Sequence, residues 1–150
     1  MIIMFLMAKI EFQRWKSVHK ILLLLTMIFL HIVDDYYLQG WLASAKQKSY
    51  WEQNAPDELY KHDYIMALFM HSFSWAFMIM VVPSVYTLIN TTNTNNASLA
   101  IALVFLTNLC IHMDVDNSKA NLKKINLVQD QLCHLVQILI TWVAFVVLGI

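Results

Sequence analysis

Residues 21–41 read ILLLLTMIFLHIVDDYYLQGW. Ten apolar or nearly apolar residues come first, and His31, Asp34 and Asp35 follow before the stretch ends in Tyr36, Tyr37 and Trp41. A bilayer core takes about 20 mostly apolar residues per helix, and tyrosine and tryptophan collect at the headgroup level. The stretch therefore predicts a transmembrane helix over roughly Ile21 to Ala43, with its acids near one interface and away from the bilayer centre. Three more runs of similar length follow: Asp63 to Ile89, Leu99 to about Asn117, and Leu127 to Ile150. Pro83 marks a kink position near the far end of the second. These runs are too long for membrane strands and lack ten-residue alternation. They also lack the polar outer faces of a soluble bundle. The expectation is an all-α integral membrane bundle of four transmembrane helices.

Composition agrees. Of 150 residues 59% are hydrophobic and 13% charged, well away from an ordinary soluble domain. With two Gly and two Pro, long helices are rarely interrupted. The formal net charge is zero, so there is no basic footprint for nucleic acid. Cys110 and Cys133 lie in apolar runs and read as buried small hydrophobes, not as a disulfide framework. Residues 1–20 have their apolar stretch before Lys9, Arg14, Lys16 and Lys20, the reverse of a secretory signal. They read as a short N-terminal interfacial helix ahead of a 21–150 transmembrane domain. Ser44 to His62 is a polar connector, Asn90 to Ser98 a short neutral loop, and Ser118 to Asn126 a short connector with three lysines.

The chemistry lies in the spacing of the polar residues. His31 and Asp35 are four apart and share one helix face, which Gln39 extends by a turn. His112 and Asp116 repeat the spacing, with Asn108 one turn earlier; Asp130 and His134 give it in reverse, continued by Gln137 and Thr141. His71 stands alone on the second helix. In an up-down bundle these positions fall late in helix one, early in two, late in three and early in four, so all belong to one half of the membrane. A charge at the centre of a spanning helix costs about 2.5–3.5 kcal/mol, less toward the interface, so several aspartates need a compensating cation. Histidine and carboxylate donors suit zinc, manganese or iron. The candidate ligands are His31, Asp35, His71, His112, Asp116, Asp130 and His134, for one or two divalent ions with zinc among the candidates. Polar residues between membrane helices also serve as hydrogen-bonding glue. Asp34 and Asp114 face away from the stripe and are expected to meet water; His62 is a loop residue. Lys119, one turn after Asp116, is either a ligand for an anionic headgroup or phosphate or a snorkelling lysine. Ten basic residues divide into four before the first span and six on the site-side loops (Lys46, Lys48, Lys61, Lys119, Lys123, Lys124), which leans toward a cytoplasmic site face.

Four segments resemble one family. His31 to Gln39 looks like an H-x-x-x-D-F-x-L-Q segment, His71 matches a histidine early in a second helix, His112 to Lys119 looks like H-x-x-x-D-x-x-K, and Asp130 to His134 looks like D-Q-x-x-H. Together they resemble the uncharacterised domain of unknown function 3307 of bacterial and phage membrane proteins, from about Ile21 to the C-terminus. Asp34 and Asp114 depart from that pattern. The resemblance implies a bacterial inner membrane and a bacterial or phage-encoded chain, but supplies no activity. There is a distant similarity to membrane-bound metal-dependent hydrolases, which place His and Asp on membrane helices. The leading expectation is a metal-dependent hydrolase at the interface, acting on a lipid or phosphate-containing substrate, with Asp35 or Asp130 as general base and Gln39 and Lys119 toward the substrate. The alternative is non-enzymatic: ion or proton handling, a phage-type membrane effector, or a scaffold with a polar packing cluster. A homo-oligomer is compatible with either.

Overall fold

The structure is a computed structural model that describes residues 2–149, with side chains described for 17–149. Every regular element among the described residues is helical: α1 (Ile2–Val33), α2 (Leu42–Ala45), α3 (Lys48–Asn54), α4 (Asp63–Asn90), α5 (Thr94–Ala120) and α6 (Leu127–Trp142). A π-helical turn, Asp34–Leu38, extends α1, and another, Val143–Leu148, extends α6. Four stretches are long and apolar enough to cross a membrane: Ser17–Leu38, Glu58–Asn90, Thr94–Ala120 and Leu127–Leu148. The N-terminal segment is helical and continuous with the first span. The side chains of Lys9, Arg14 and Lys16, on which its interfacial reading rests, lie outside the described residues.

Local chemistry sets the helix ends. Gly40 takes φ +48, the left-handed conformation that closes a helix without a Cβ penalty, and it stops the first span. Asn93 caps α5 by accepting from the Asn96 backbone N–H. Asn126 and Gln129 form a reciprocal capping box that starts α6 one turn before Asp130. The Ser44–His62 connector is less irregular than its composition suggests, since α2, α3 and a 3₁₀ turn at Glu58–Tyr60 occupy most of it.

The bundle forms around α4. Its buried residues, Ala67, Leu68, His71, Ser72, Trp75, Ala76, Ile79, Met80, Pro83 and Thr87, recur in steps of three or four and one, the stripe of a helix covered on one side. The helix is continuous through Pro83. Helices α1, α5 and α6 cover that stripe. The contacts fix the up-down order: Ser74 meets Asp34, His71 meets His112, and Lys119 meets Asp130 at one end. At the other end Trp142 Nε1 donates to the Lys20 carbonyl at 2.8 Å. The apolar core of Met27, Trp75, Ile79, Leu109, Ile138, Phe145 and Val146 fills the middle. Cys110 and Cys133 are free but exposed on the outer faces, not buried as their apolar surroundings suggested. In a membrane helix the apolar surroundings are lipid, so an apolar run does not distinguish inside from outside.

A buried histidine–aspartate cluster at one end of the bundle

Four helices deliver side chains to one level. Helix α1 and its π turn supply His31, Asp34 and Asp35; α4 supplies His71, Ser74 and Trp75; α5 supplies His112 and Asp116; α6 supplies Asp130, Gln131 and His134. His31, His71, His112, Asp116, Asp130 and His134 are at most 2% exposed.

His71 is the hub. Its Nε2 lies 3.2 Å from Asp35 Oδ1, 3.3 Å from Asp116 Oδ2 and 3.2 Å from His112 Nε2. Asp116 turns its other oxygen to His134 Nε2 at 3.4 Å, and His134 Nε2 lies 3.5 Å from Asp130 Oδ1. The aromatic faces are layered: Trp75 stacks on His112, and His112 on His134, each with centroids 4.1 Å apart. Trp75 also donates its Nε1–H to His31 Nδ1 at 2.8 Å. That bond occupies the His31 lone pair and leaves its Nε2 as the protonated nitrogen. In this arrangement His31 positions its neighbours and offers no free donor atom. The side chains expected to converge thus form one network, but they are not equivalent. Two overlapping groups could hold a metal ion: Asp35, His71 and His112, and His112, Asp116 and His134. His31 and Asp130 flank them.

The lysines change the electrostatics. Lys46 donates to Asp116 Oδ2 at 2.5 Å, and Lys119 to Asp130 Oδ2 at 2.5 Å. Lys46 is 7% exposed. It is a member of the cluster and not the loop charge its place in the connector suggested. Helix α2 packs on α4, and the strap after it is tied down where Asn121 donates to the Lys46 carbonyl and accepts from the Lys48 backbone N–H.

Asp34 also differs from expectation. It is 1% exposed, accepts from Ser74 Oγ at 2.5 Å, and has its second oxygen 3.9 Å from His71 Nδ1. Adjacent residues on a helix point about 100° apart, so Asp34 and Asp35 were not expected to share a site. They do because α1 packs against both α4 and α6, which covers a wide arc. Asp34 faces α4 while Asp35 faces Gln131 of α6 at 3.1 Å. Asp114 and His62 are exposed, as expected. Gln39 donates to the backbone carbonyl of Asp35 one turn back, so its amide is spent on its own helix. The amide at the carboxylates belongs to Gln131, 3.1 Å from both Asp35 Oδ2 and Asp130 Oδ2. Beneath the cluster, Asn108 donates to Thr141 Oγ1 at 2.9 Å and Gln137 donates to the Asn108 carbonyl at 3.2 Å, continuing the polar stripe one layer deeper.

The chemistry of the donor set fits a divalent cation. Donor atoms around a tetrahedral ion with bonds of about 2.0–2.1 Å lie roughly 3.3 Å apart, and within the Asp35, His71 and His112 group Asp35 Oδ1 and His112 Nε2 each lie 3.2 Å from His71 Nε2. One nitrogen carries at most one N–H, which cannot serve two carboxylate oxygens and a facing imidazole together. Asp35 Oδ1, His134 Nε2 and Asp130 Oδ1 are buried and have no hydrogen-bond partner among the described residues. His71 Nδ1 and Asp34 Oδ2 are likewise unpaired and face each other, as in the carboxylate–histidine–metal arrangement that orients a ligand imidazole. If the four aspartates are ionised and the histidines neutral, as metal ligation requires, the two ammonium groups leave two negative charges, the charge of one divalent ion.

The fold and cluster define a class: a helical membrane protein with a buried His/Asp group at one end of its bundle. Comparison with protein-family profiles, with curated proteins and with solved structures gives no match to this chain, so its assignment rests on its own residues.

Proposed function

We propose that the cluster is a divalent-metal centre and that the protein is a metal-dependent hydrolase working at the headgroup level on a lipid or other phosphate-containing amphiphile. The observation that carries this reading is the convergence of Asp35 Oδ1, Asp116 Oδ2 and His112 Nε2 on His71 Nε2 at 3.2–3.3 Å. The charge deficit favours one ion over two. Zinc is the first candidate because His and carboxylate donors at tetrahedral spacing suit it. The four-segment resemblance to domain of unknown function 3307 supports the same residues, and with it a bacterial membrane.

A metal at this position supplies Lewis acidity and an activated water. The chain's own residues do the rest. The cation would be held by Asp35, His71 and His112, or by the overlapping group His112, Asp116 and His134. Asp34 steadies His71 through Nδ1, and Trp75 holds the ring of His112 by stacking. Asp130 is the better general base of the two carboxylates proposed. Its Oδ2 is held by Lys119 and Gln131, and its Oδ1 is free to take a proton. Asp35 instead has one oxygen in the ligand set and one on Gln131.

The competing reading is a closed charge network, favoured by the two 2.5 Å lysine–aspartate contacts. In that case the cluster only fixes helix packing. Metal analysis and thermal unfolding separate the two. With a metal centre, purified protein retains about one equivalent of divalent ion, chelation lowers the unfolding temperature, and Asp116→Asn loses the metal. With a closed network, the purified protein retains no metal and chelation does nothing, while Asp116→Asn is destabilising because it strands the buried Lys46 ammonium. An unchanged wild-type unfolding temperature after verified stripping overturns the metal reading.

A further inference from the structure

On the lipid side of α1 and α6, a groove reaches His31 and Gln131 at the edge of the cluster. The groove, of about 530 Å³, runs between these helices, lined by Ile28, Ile32, Tyr36, Tyr37 and Leu135, with His31 and Gln131 at its floor. Its walls are apolar and its rim is aromatic. From Ile28 to Tyr36 it follows about 12 Å of helix, given a rise of about 1.5 Å per residue. Ile32, Tyr36, Tyr37 and Leu135 are 41%, 58%, 77% and 37% exposed, although all four lie in membrane-spanning segments. Along Ile28, Ile32 and Leu135 the neighbouring medium is hydrocarbon, with Tyr36 and Tyr37 toward the headgroups, so an aqueous metabolite would meet the wrong solvent along the groove.

The floor is polar where the walls are not. Gln131 spends its amide on Asp35 and Asp130 and thereby separates the groove from the charged interior. Asp130 Oδ2 is shared by Gln131 and Lys119, and the Lys119 side chain is 32% exposed. The groove thus ends at Gln131, and just beyond its lining the part-exposed Lys119 ammonium shares Asp130 Oδ2 with that amide.

Resting on the metal-centre reading, we infer that the α1–α6 groove is the lateral substrate site and takes one acyl chain of an anionic, phosphate-headed amphiphile from the bilayer, its headgroup at Lys119. The chain lies along Ile28, Ile32 and Leu135, and the phosphate sits at the Tyr36–Tyr37 level beside the cluster. A chain of this kind pays no desolvation to enter, because the groove exchanges one hydrocarbon neighbour for another. Selectivity must therefore come from the headgroup and the Lys119 charge.

The test uses full-length protein in phosphatidylcholine vesicles and a hexadecyl phosphate probe carrying a diazirine in its chain. Photolabelling should map to Ile28, Ile32 and Leu135. Excess unlabelled hexadecyl phosphate should suppress it about tenfold more than hexadecanol does, and Lys119→Gln should remove that difference. Leu135→Trp, which fills the groove, should lower labelling there. Labelling spread evenly over outer residues such as Phe77 and Val85, or equal competition by hexadecanol, overturns the inference, and the wild-type map alone decides this without any variant. Inorganic phosphate competing as well as hexadecyl phosphate would also overturn it, by assigning the headgroup site to a soluble anion. Metal content measured on the same samples keeps the two readings apart. Metal-loaded protein without groove labelling refutes the groove alone, and groove labelling on protein that retains no metal refutes the metal centre alone.

Discussion

Replacing Lys46 by methionine keeps the length and the apolar stem and deletes one charge. In the folded protein Lys46 Nζ lies 2.5 Å from Asp116 Oδ2, with the two side chains 9% and 2% exposed. Removing one partner of a buried ion pair strands the other, at a cost of about 3–5 kcal/mol. Here the stranded carboxylate keeps His71 Nε2 at 3.3 Å and His134 Nε2 at 3.4 Å, so the lower end applies, about 3 kcal/mol. For a chain of this size each kcal/mol moves the unfolding temperature by about 2–4 °C, so Lys46→Met should lower it by about 6–12 °C. Thermal unfolding in detergent, followed by circular dichroism, reads this directly. The control is Lys48→Met two residues away. Lys48 and its partner Glu52 are 48% and 61% exposed at 3.8 Å, and pairs of that kind contribute less than about 1 kcal/mol. If Lys46→Met unfolds with Lys48→Met, the lysine is a solvated connector charge and its place in the cluster is wrong.

Three other outcomes are expected. In a Cys110→Ala/Cys133→Ala background, Gln53→Cys and Thr94→Cys should be labelled by impermeant maleimide from opposite sides of a sealed vesicle; labelling from the same side would remove the four-span topology. Trp75→Phe keeps the ring on His112 but loses the 2.8 Å bond to His31 Nδ1, and should cost about 1–3 kcal/mol in denaturant unfolding. Trp75→Ala removes the ring as well and should cost about 3–5 kcal/mol, so equal losses in the two variants would show that the stacking contributes nothing. The chelation experiment on wild type and Asp116→Asn gives the third, with a lowered unfolding temperature only in the wild type.

How much of this was legible in the sequence follows from the range of the interactions. Four long apolar runs state the spans, because the bilayer sets their length without reference to any other part of the chain. The i,i+4 pairs His31–Asp35, His112–Asp116 and Asp130–His134 state shared faces, and the up-down order states a common level. Neither says which neighbouring helix covers a face. Asp34 was missed for that reason, since its burial depends on α1 sitting against both α4 and α6. Lys46 contacts Asp116 across 70 residues of sequence, and its connector read as polar and solvated. The signal that could have found it is Ala43–Ser44–Ala45 just before it, small residues that let α2 approach α4 closely. Trp75 was legible in principle, being one turn beyond His71 on the same face. Gln131 lies in the D-Q-x-x-H segment, yet Gln39 looked the better amide because it continues the His31–Asp35 stripe. A π turn at Asp34–Leu38 intervenes, and Gln39 turns back to cap it.

The vertical distribution of polarity bears on what such a cluster does. A path for ions or protons needs polar groups through both halves of the membrane. Below the histidines the stripe continues through Gln137, Asn108 and Thr141, whose amides and hydroxyl bond to one another. The next layer is Met27, Ile79, Ile138, Phe145 and Val146, all at most 2% exposed and packed together around α4. Thr87, toward the far end of α4, is buried with an unpaired hydroxyl, but this apolar layer lies between it and the polar stripe. A chain of donors and acceptors therefore runs from the cluster to Thr141 and stops at close-packed hydrocarbon. A proton or cation entering at the Lys46–Lys119 end meets ligands and then a dry plug, a geometry suited to holding a cation in place. Sideways, between α1 and α6, the groove ends on Gln131. A cluster closed below and bordered by a lipid-facing groove supports the proposed chemistry on a membrane-borne molecule over transport across the membrane.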